Sequence, residues 1–246
     1  MQTTLSGAAS VSVAPILSGP VRAVPVIASL PTALWAGPVC LASAGAVRVP
    51  CALVLGPGVA VPAAAVGSTA EIGAGHLKVG DTSVAVTRWW RPSRPVLNHD
   101  DLDARQRALR SSGTRTATEI DVPELDVRTL LGRGEGLTPL GDDVLAGALV
   151  TLVAAAHPHA AVLGSRVAEE LAARPGATTP ISAVLLAHAA RGECIPQLAA
   201  VLTDPVDRLE PAITALLAVG HSSGAGLLSG VRMGLTVLEG GQSETH

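Results

Sequence analysis

The amino-acid sequence predicts an α+β protein, with a small N-terminal β barrel or sandwich followed by an α-helical bundle. Residues 11–90 consist of short valine-rich runs interrupted by Gly and Pro, a pattern typical of strands and turns. Residues 91–101 combine two prolines with charge and asparagine, which indicates a domain boundary. After residue 121, apolar residues recur at helical spacing. The predicted domains are therefore residues 1–92 and 93–246.

The N-terminal domain holds more prolines than central strands can accommodate. Proline has no N–H group to donate to a neighbouring strand, so it is confined to sheet edges, bulges and turns. We therefore expect several of the valine-rich runs, the first of which is VSVAPIL, to be edge strands or loops. The prolines concerned are Pro15, Pro25, Pro31, Pro38 and Pro50.

The C-terminal domain is predicted to begin with a helix capped by Asn98 or Asp100, followed by longer apolar helices. Several of these are apolar almost all round, which is typical of central helices. The predicted segments are DDVLAGALVTLVAAA, AAVLGSRVAEELAAR, PISAVLLAHAA, PVDRLEPAITALLAV and GAGLLSGVRMGLTVL.

Composition excludes several classes of partner. The net charge is −3, with one lysine against sixteen arginines and no basic run, so neither nucleic acid nor an anionic membrane is expected as a partner. The N-terminus lacks the features of a secretory signal, and no apolar stretch is long enough to span a membrane. Three cysteines without a CxxC motif favour a reducing compartment. We expect a soluble cytoplasmic protein that binds small molecules or other proteins.

The strongest functional signal is the stretch LGRGEGLTPLGDDVLAG. Its first glycines, Gly132, Gly134 and Gly136, permit positive φ and a close approach of the backbone to a ligand. Thr138 is predicted to be the N-cap of the following helix, and Pro139 its first residue. Free N–H groups at this helix N-terminus would then face an anion. The glycine spacing matches neither the Rossmann fingerprint nor the P-loop.

Two adjacent carboxylates, Asp142 and Asp143, follow in the first turn of that predicted helix. They suit the positive end of the helix dipole, but they would repel a phosphate unless a divalent cation or a protonated amine lay between. They are therefore candidate metal ligands, with Mg²⁺ as the candidate cofactor. The alternative is that both carboxylates only cap the helix.

A second stretch, GHSSGAGLLSG, has a similar order of glycine, hydroxyl and leucine residues and predicts a weak internal repeat. In this repeat Ala225 and Gly226 take the places of Asp142 and Asp143. The two helix N-termini could then face one another across a pocket.

Hydroxyl residues stand at three predicted helix starts. Thr179 is the expected cap of a helix that begins with Pro180, and Thr138 and Ser222 stand at the other two starts. If the three converge, they form an oxyanion or phosphate pocket. His221, beside Ser222, is a candidate base or anion ligand, and the alternative is a structural histidine.

Together, the motifs GxGxGLTPxGDDxLxG, Thr-Thr-x-x-Ser and GHxSGxxxLxG resemble the oxamate carbamoyltransferase AllH-like family. A Trp-x-Pro junction at Trp90 to Pro92 also fits. The resemblance covers most of the chain, although only the residue pattern supports it in the β domain. It implies an enzyme, or an enzyme subunit, related to the transfer of a carbamoyl group between carbamoyl phosphate and a small acid such as oxamate. Partner subunits or a homo-oligomer would accompany this role.

The resulting hypothesis assigns catalysis to Asp142, Asp143 and His221. The two aspartates would bind a cation or an amide nitrogen, and the histidine would assist proton transfer. The candidate substrate-binding residues are Gly132, Gly134, Gly136, Thr138, Gly141, Thr178, Thr179, Ser222, Ser223 and Gly224.

Several residues depart from the family pattern. Leu140 stands where serine is usual, Glu135 where proline is common, and Ala225 and Gly226 where an aromatic residue and an aspartate are frequent. These departures favour a first alternative, a diverged lyase, cyclase or hydrolase of a bacterial biosynthetic pathway. The second alternative is a non-catalytic subunit of a multi-chain complex, which the alanine-rich apolar helices favour.

Overall fold

The computed structural model describes residues 3–111 and 125–242. The chain divides into two compact units, Met1–Pro92 and Ser93–His246. None of the described helices is both long and apolar enough to cross a membrane. The change of pattern predicted at residue 121 lies outside the described residues.

The N-terminal unit is a closed barrel of eight strands in the order β1-β5-β4-β3-β2-β6-β7-β8. The α+β class with an N-terminal barrel is therefore confirmed. The strands are β1 (Thr3–Ser10), β2 (Arg22–Ser29), β3 (Ala33–Ala36), β4 (Val39–Ala42), β5 (Ala52–Leu55), β6 (Thr69–Gly73), β7 (His76–Val79) and β8 (Thr82–Trp90).

Closure of the barrel contradicts the expectation of edge strands. Every strand has two neighbours, so proline is tolerated only at selected positions, such as Pro25 within β2. The run VSVAPIL was expected to be a strand or a loop, and the strand alternative is wrong. It forms a 3₁₀ turn (Val11–Val13) and the short helix α1 (Ala14–Leu17), because Pro15 suits the start of a helix.

Leucine and isoleucine side chains fill the interior of the barrel, since the chain has no Phe or Tyr. Leu34, Leu41, Leu53, Ile72 and Leu77 are fully buried. Strands β1 and β8 run parallel, and the register shifts between Gly7 and Ala8. Such a bulge increases the local twist that lets a sheet close on itself.

The C-terminal unit is helical. Asn98 Oδ1 accepts the Asp100 N–H at 3.2 Å and starts a 3₁₀ turn (His99–Asp101) that leads into α2. All the predicted helical segments are present, and α3 and α7 were not predicted. The helices are α2 (Leu102–Ser111), α3 (Val127–Leu130), α4 (Leu140–Ala154), α5 (His159–Ala173), α6 (Pro180–Ala189), α7 (Pro196–Thr203), α8 (Leu209–Leu217) and α9 (Ser223–Gln242).

Helices α4 and α9 pack backbone to backbone along glycines. A Cβ atom built on Gly147 would lie 2.2 Å from the carbonyl oxygen of Leu227, and one on Gly230 would lie 2.1 Å from that of Val144. One turn further along both helices, a Cβ on Gly234 would lie 2.9 Å from the Thr151 Cβ. Because the paired positions advance together, the two helices run in the same direction. Their N-termini therefore lie side by side.

We expect Gly230→Ala to destabilise the protein strongly, because its methyl group has no room between α9 and the backbone of α4. Overpacking of this kind costs about 3 kcal/mol. Chemical denaturation of wild type and variant, followed by circular dichroism, measures the change.

The matched control is Gly164→Ala in α5, where a Cβ atom would meet the Ala190 Cβ at 3.7 Å, an ordinary contact distance. Alanine favours a helix over glycine by roughly 1 kcal/mol, so this variant should be as stable as wild type or more stable. Equal stability of the two variants would contradict the close packing of α4 and α9.

Candidate functional site

The glycine-rich loop is folded against the start of α6. Gly132 has φ +75°, and its N–H donates to Oδ1 of Asp142 at 2.8 Å. A Cβ atom on Gly132 would lie only 1.7 Å from the Ala177 carbonyl oxygen. Glycine at this position is therefore required by backbone packing, whether or not a ligand binds.

The start of α4 differs from the prediction. Pro139 occupies the N-cap position without a side-chain hydrogen bond, and the helix begins at Leu140. The prediction that Thr138 caps the helix is wrong, because its hydroxyl instead pairs with the hydroxyl of Ser223, with the two oxygens 2.8 Å apart. This hydrogen bond joins the N-termini of α4 and α9.

Backbone carbonyls take up the first N–H groups of α4. Gly141 N–H donates to the carbonyl of Arg133 at 2.8 Å. Asp142 and Asp143 N–H groups donate to the carbonyl of Pro139 at 3.0 and 3.2 Å. The expected row of free N–H groups is therefore wrong for these three positions, since a loop carbonyl and the carbonyl of the N-cap residue accept them.

Asp142 is buried and joins two segments of the site. Its side chain is 2% exposed; Oδ1 accepts the Gly132 N–H, and Oδ2 accepts the hydroxyl of Thr178. Both carboxylate oxygens are therefore already in use. The aspartate fixes the glycine-rich loop to the segment that precedes α6.

Thr179 behaves as the sequence predicts. It is the N-cap of α6, where its hydroxyl accepts the Ser182 N–H at 3.0 Å, and Pro180 is the first helical residue. The same hydroxyl donates to the carbonyl of Leu137 at 2.6 Å. The starts of α4, α6 and α9 are thus linked by hydrogen bonds, so the three helix starts converge as predicted. The hydroxyl that meets Thr138 at the start of α9 is that of Ser223, not the predicted Ser222.

Asp143 is the unusual group of this cluster. Its side chain is 7% exposed, and its Oδ2 is buried without a hydrogen-bond partner among the described residues. Burial raises its pKa from 3.8 to about 8; the neighbouring Asp142 carboxylate adds to this rise, whereas the Ser223 and Thr138 hydroxyls oppose it. At neutral pH the buried carboxyl is therefore mainly protonated.

The turn before α9 carries the candidate base. His221 is exposed and makes no hydrogen bond with any described residue. Ser222 accepts the Gly226 N–H on its backbone carbonyl at 3.0 Å, and a Cβ atom on Gly224 would lie 2.0 Å from the Leu216 carbonyl oxygen. Gly224 is therefore needed for packing, and the role of His221 stays a prediction.

The remaining glycines of the loop have different surroundings. A Cβ atom on Gly134 would lie 2.9 Å from the Leu140 N atom, and one on Gly141 would lie 2.0 Å from the Leu130 carbonyl oxygen. Gly136 has open space around it and φ +94°. Of these three, only Gly136 combines the backbone freedom with the room that a ligand needs.

Sequence reasoning missed Ser182. Its Oγ is buried one turn into α6 and has no hydrogen-bond partner among the residues that the structure describes. The Thr-Thr-x-x-Ser spacing was the available signal, because it places the serine three residues after the N-cap Thr179.

The described residues contain no group of three His, Cys, Asp or Glu side chains that could hold a metal ion. Asp142 has both oxygens engaged, so Oδ2 of Asp143 is the carboxylate oxygen of the pair that stays unpartnered. A cation here would need most of its ligands from water or substrate.

The sequence was also compared with protein families, curated proteins and solved structures. Residues 130–235 match the AllH family, described as oxamate carbamoyltransferase subunit AllH. The resemblance read from the motifs is confirmed over these residues. No curated protein matches the chain, and no solved structure matches it.

The AllH match includes the glycine-rich loop, Asp142, Asp143 and Ser223. It leaves out the barrel, so the family resemblance is established over a shorter part of the chain than the motifs and the Trp-x-Pro junction suggested.

Two departures from the AllH-like pattern lie in contact with one another. A Cβ atom on Gly226 would lie 2.7 Å from the Asp143 Cβ and 3.0 Å from Cδ1 of Leu140. The leucine side chain therefore occupies space that any side chain at position 226 would need. Asp143 and Leu140 together therefore require glycine at position 226, and the surroundings of Asp143 are more apolar than a serine at position 140 would make them.

We expect the stability of the protein to depend on pH through Asp143. The pKa of Asp143 is raised in the folded state, so as pH rises the carboxyl ionises first in the unfolded chain. The free energy of unfolding of wild type should therefore fall relative to that of Asp143→Asn as pH rises from about 4 to about 8. The slope is about 1.4 kcal/mol per pH unit within that window. Denaturant unfolding of both proteins from pH 5 to pH 8 measures it.

The control is Asp207→Asn, which changes an exposed carboxylate of the same unit. Its stability should follow the wild-type curve at every pH. Parallel curves for wild type and Asp143→Asn would show that the Asp143 carboxyl is not held protonated by burial.

Proposed function

We propose that the helical unit carries a carbamoyltransferase-related site that acts on a small carboxylate or amide substrate and carbamoyl phosphate. One observation carries the proposal. Asp143 presents a buried, unpartnered carboxylate oxygen where the N-termini of α4 and α9 meet. The AllH match, which spans every element of this cluster, supports the reaction class.

Each group has a role in this proposal. The hydroxyls of Thr138 and Ser223 would hold the phosphate or carboxylate. Oδ2 of Asp143 would accept the amide N–H of the substrate. The Gly136 backbone, with space around it, would approach the ligand. Thr178 and Asp142 would position the loop rather than touch substrate, because Asp142 is almost fully buried and both its oxygens already accept hydrogen bonds.

The reaction balances with these groups. The acceptor nitrogen forms a bond to the carbamoyl carbon, the bond from that carbon to the phosphate oxygen breaks, and phosphate leaves. The nitrogen loses a proton, which the carboxylate form of Asp143 can take, and His221 would pass it to solvent. Positioning and electrostatic stabilisation would supply most of the rate.

Mg²⁺ is the candidate cation, and Oδ2 of Asp143, in its carboxylate form, would hold it as the alternative to binding the substrate amide. We place the protein in the cytoplasm, a choice supported by the buried thiols of Cys40 and Cys194, which form no disulfide.

A second candidate is a subunit that completes its site only with partner chains. AllH is described as a subunit, and His221 is exposed without a hydrogen-bond partner among the described residues. The first N–H groups of α4 are also occupied. A third candidate, a diverged lyase, cyclase or hydrolase, is favoured by the apolar contact of Leu140 with Gly226.

We expect calorimetric titration to show saturable binding of oxamate or carbamoyl phosphate to wild type, with and without Mg²⁺. Asp143→Asn replaces the accepting Oδ2 with a group of the same shape and should weaken the affinity by about tenfold or more, which is about 1.4 kcal/mol. Carbamoyl transfer by the same protein, followed as phosphate release, should fall by roughly 100-fold if Asp143 takes the proton.

The control, Asp207→Asn, removes an exposed carboxylate of the same unit and should bind as wild type does. Binding that survives Asp143→Asn unchanged would remove this site from the proposal. Binding without turnover by the purified chain would favour the partner-dependent subunit. Turnover of other small acids in place of oxamate would favour the diverged enzyme.

A further inference from the structure

The barrel unit contains a cavity with arginine side chains in its lining. It has a volume of about 290 Å³ and opens beside β1, β5 and β8. Its lining combines cationic, aromatic and apolar side chains: Arg48, Arg88, Trp90, Val54, Leu55 and Pro57.

The cavity is electropositive. Arg48 and Arg88 line it, and no acidic residue does. The barrel unit has only two acidic residues, Glu71 and Asp81, and Glu71 already pairs with Lys78 at 3.7 Å. Neither arginine forms a hydrogen bond or ion pair with any residue in the described part of the chain. Their N–H donors are therefore available to a bound anion.

The wall of the cavity is fixed before any ligand binds. Trp90 Nε1 donates to the carbonyl of Ala8 at 3.1 Å, and the Thr87 hydroxyl donates to the carbonyl of Gly7 at 3.2 Å. The guanidinium carbon of Arg48 lies 5.4 Å from the centre of the Trp90 ring, so the indole supports the cation through a cation–π contact. A guanidinium placed over an aromatic ring can still donate its N–H groups to a second partner.

We propose that this cavity binds the oxyanion group, carboxylate or phosphate, of a small molecule, with Arg48 and Arg88 as its ligands. Arginine binds both groups through paired N–H donors, and the apolar part of the lining would cover the rest of the molecule. The site belongs to the barrel unit alone. It does not depend on the function proposed for the helical unit.

The test uses the full chain with inorganic phosphate and oxalate as separate probes, followed by calorimetry and by the NMR signal of the Trp90 indole N–H. We expect saturable binding of at least one probe and a shift of that signal. Arg88→Gln removes a guanidinium for which the structure shows no protein partner, and it should weaken binding about tenfold or more. Arg48→Gln should have the same effect. The probe that binds with the higher affinity identifies the preferred anion as phosphate or carboxylate.

Two controls isolate the site. Arg22→Gln removes an exposed barrel arginine that does not line the cavity and should leave binding unchanged. Asp143→Asn should leave the Trp90 shift unchanged, which separates this site from the helical one. The proposal fails if neither probe moves the Trp90 signal at about 10 mM. It also fails if Arg22→Gln weakens binding as much as Arg88→Gln does.

Discussion

The close approach of α4 and α9 is the constraint on which the candidate site depends. Gly147 and Gly230 bring the two backbones together, and because the helices run in the same direction, their N-termini end side by side. The Thr138 and Ser223 hydroxyls meet there, and Asp143 is buried between the helices. A larger residue at either glycine would separate the backbones and with them the groups that form the site.

The same packing explains why the site is polar but hidden. Asp142 is satisfied by Gly132 and Thr178, so it stabilises the loop. Among the residues that the structure describes, none bonds Oδ2 of Asp143, and burial raises the pKa of this carboxyl because it disfavours the charged form. Unsatisfied buried polar atoms reduce stability, so such a group is more readily understood as functional than as structural.

The two units present different electrostatic surroundings. In the helical unit, a buried carboxyl and two hydroxyls lie at helix N-termini, where a substrate amide and an anionic group could both be bound. In the barrel unit, two arginines face a cavity without an acidic residue in its lining. Each unit therefore carries its own candidate site for anion binding, and the two sites share no residue.

The sequence by itself determined the change from β to α structure, Thr179 as the N-cap of α6 and the family motif. The reason is that periodicity, a threonine before Pro180 and glycine spacing are all local signals. Only the tertiary structure decided barrel closure, the pairing of Thr138 with Ser223 and the different fates of Asp142 and Asp143. These depend on contacts between residues far apart in the chain. Two adjacent aspartates look alike in sequence, and only the fold gives Asp142 partners for both oxygens while Oδ2 of Asp143 has none among the described residues.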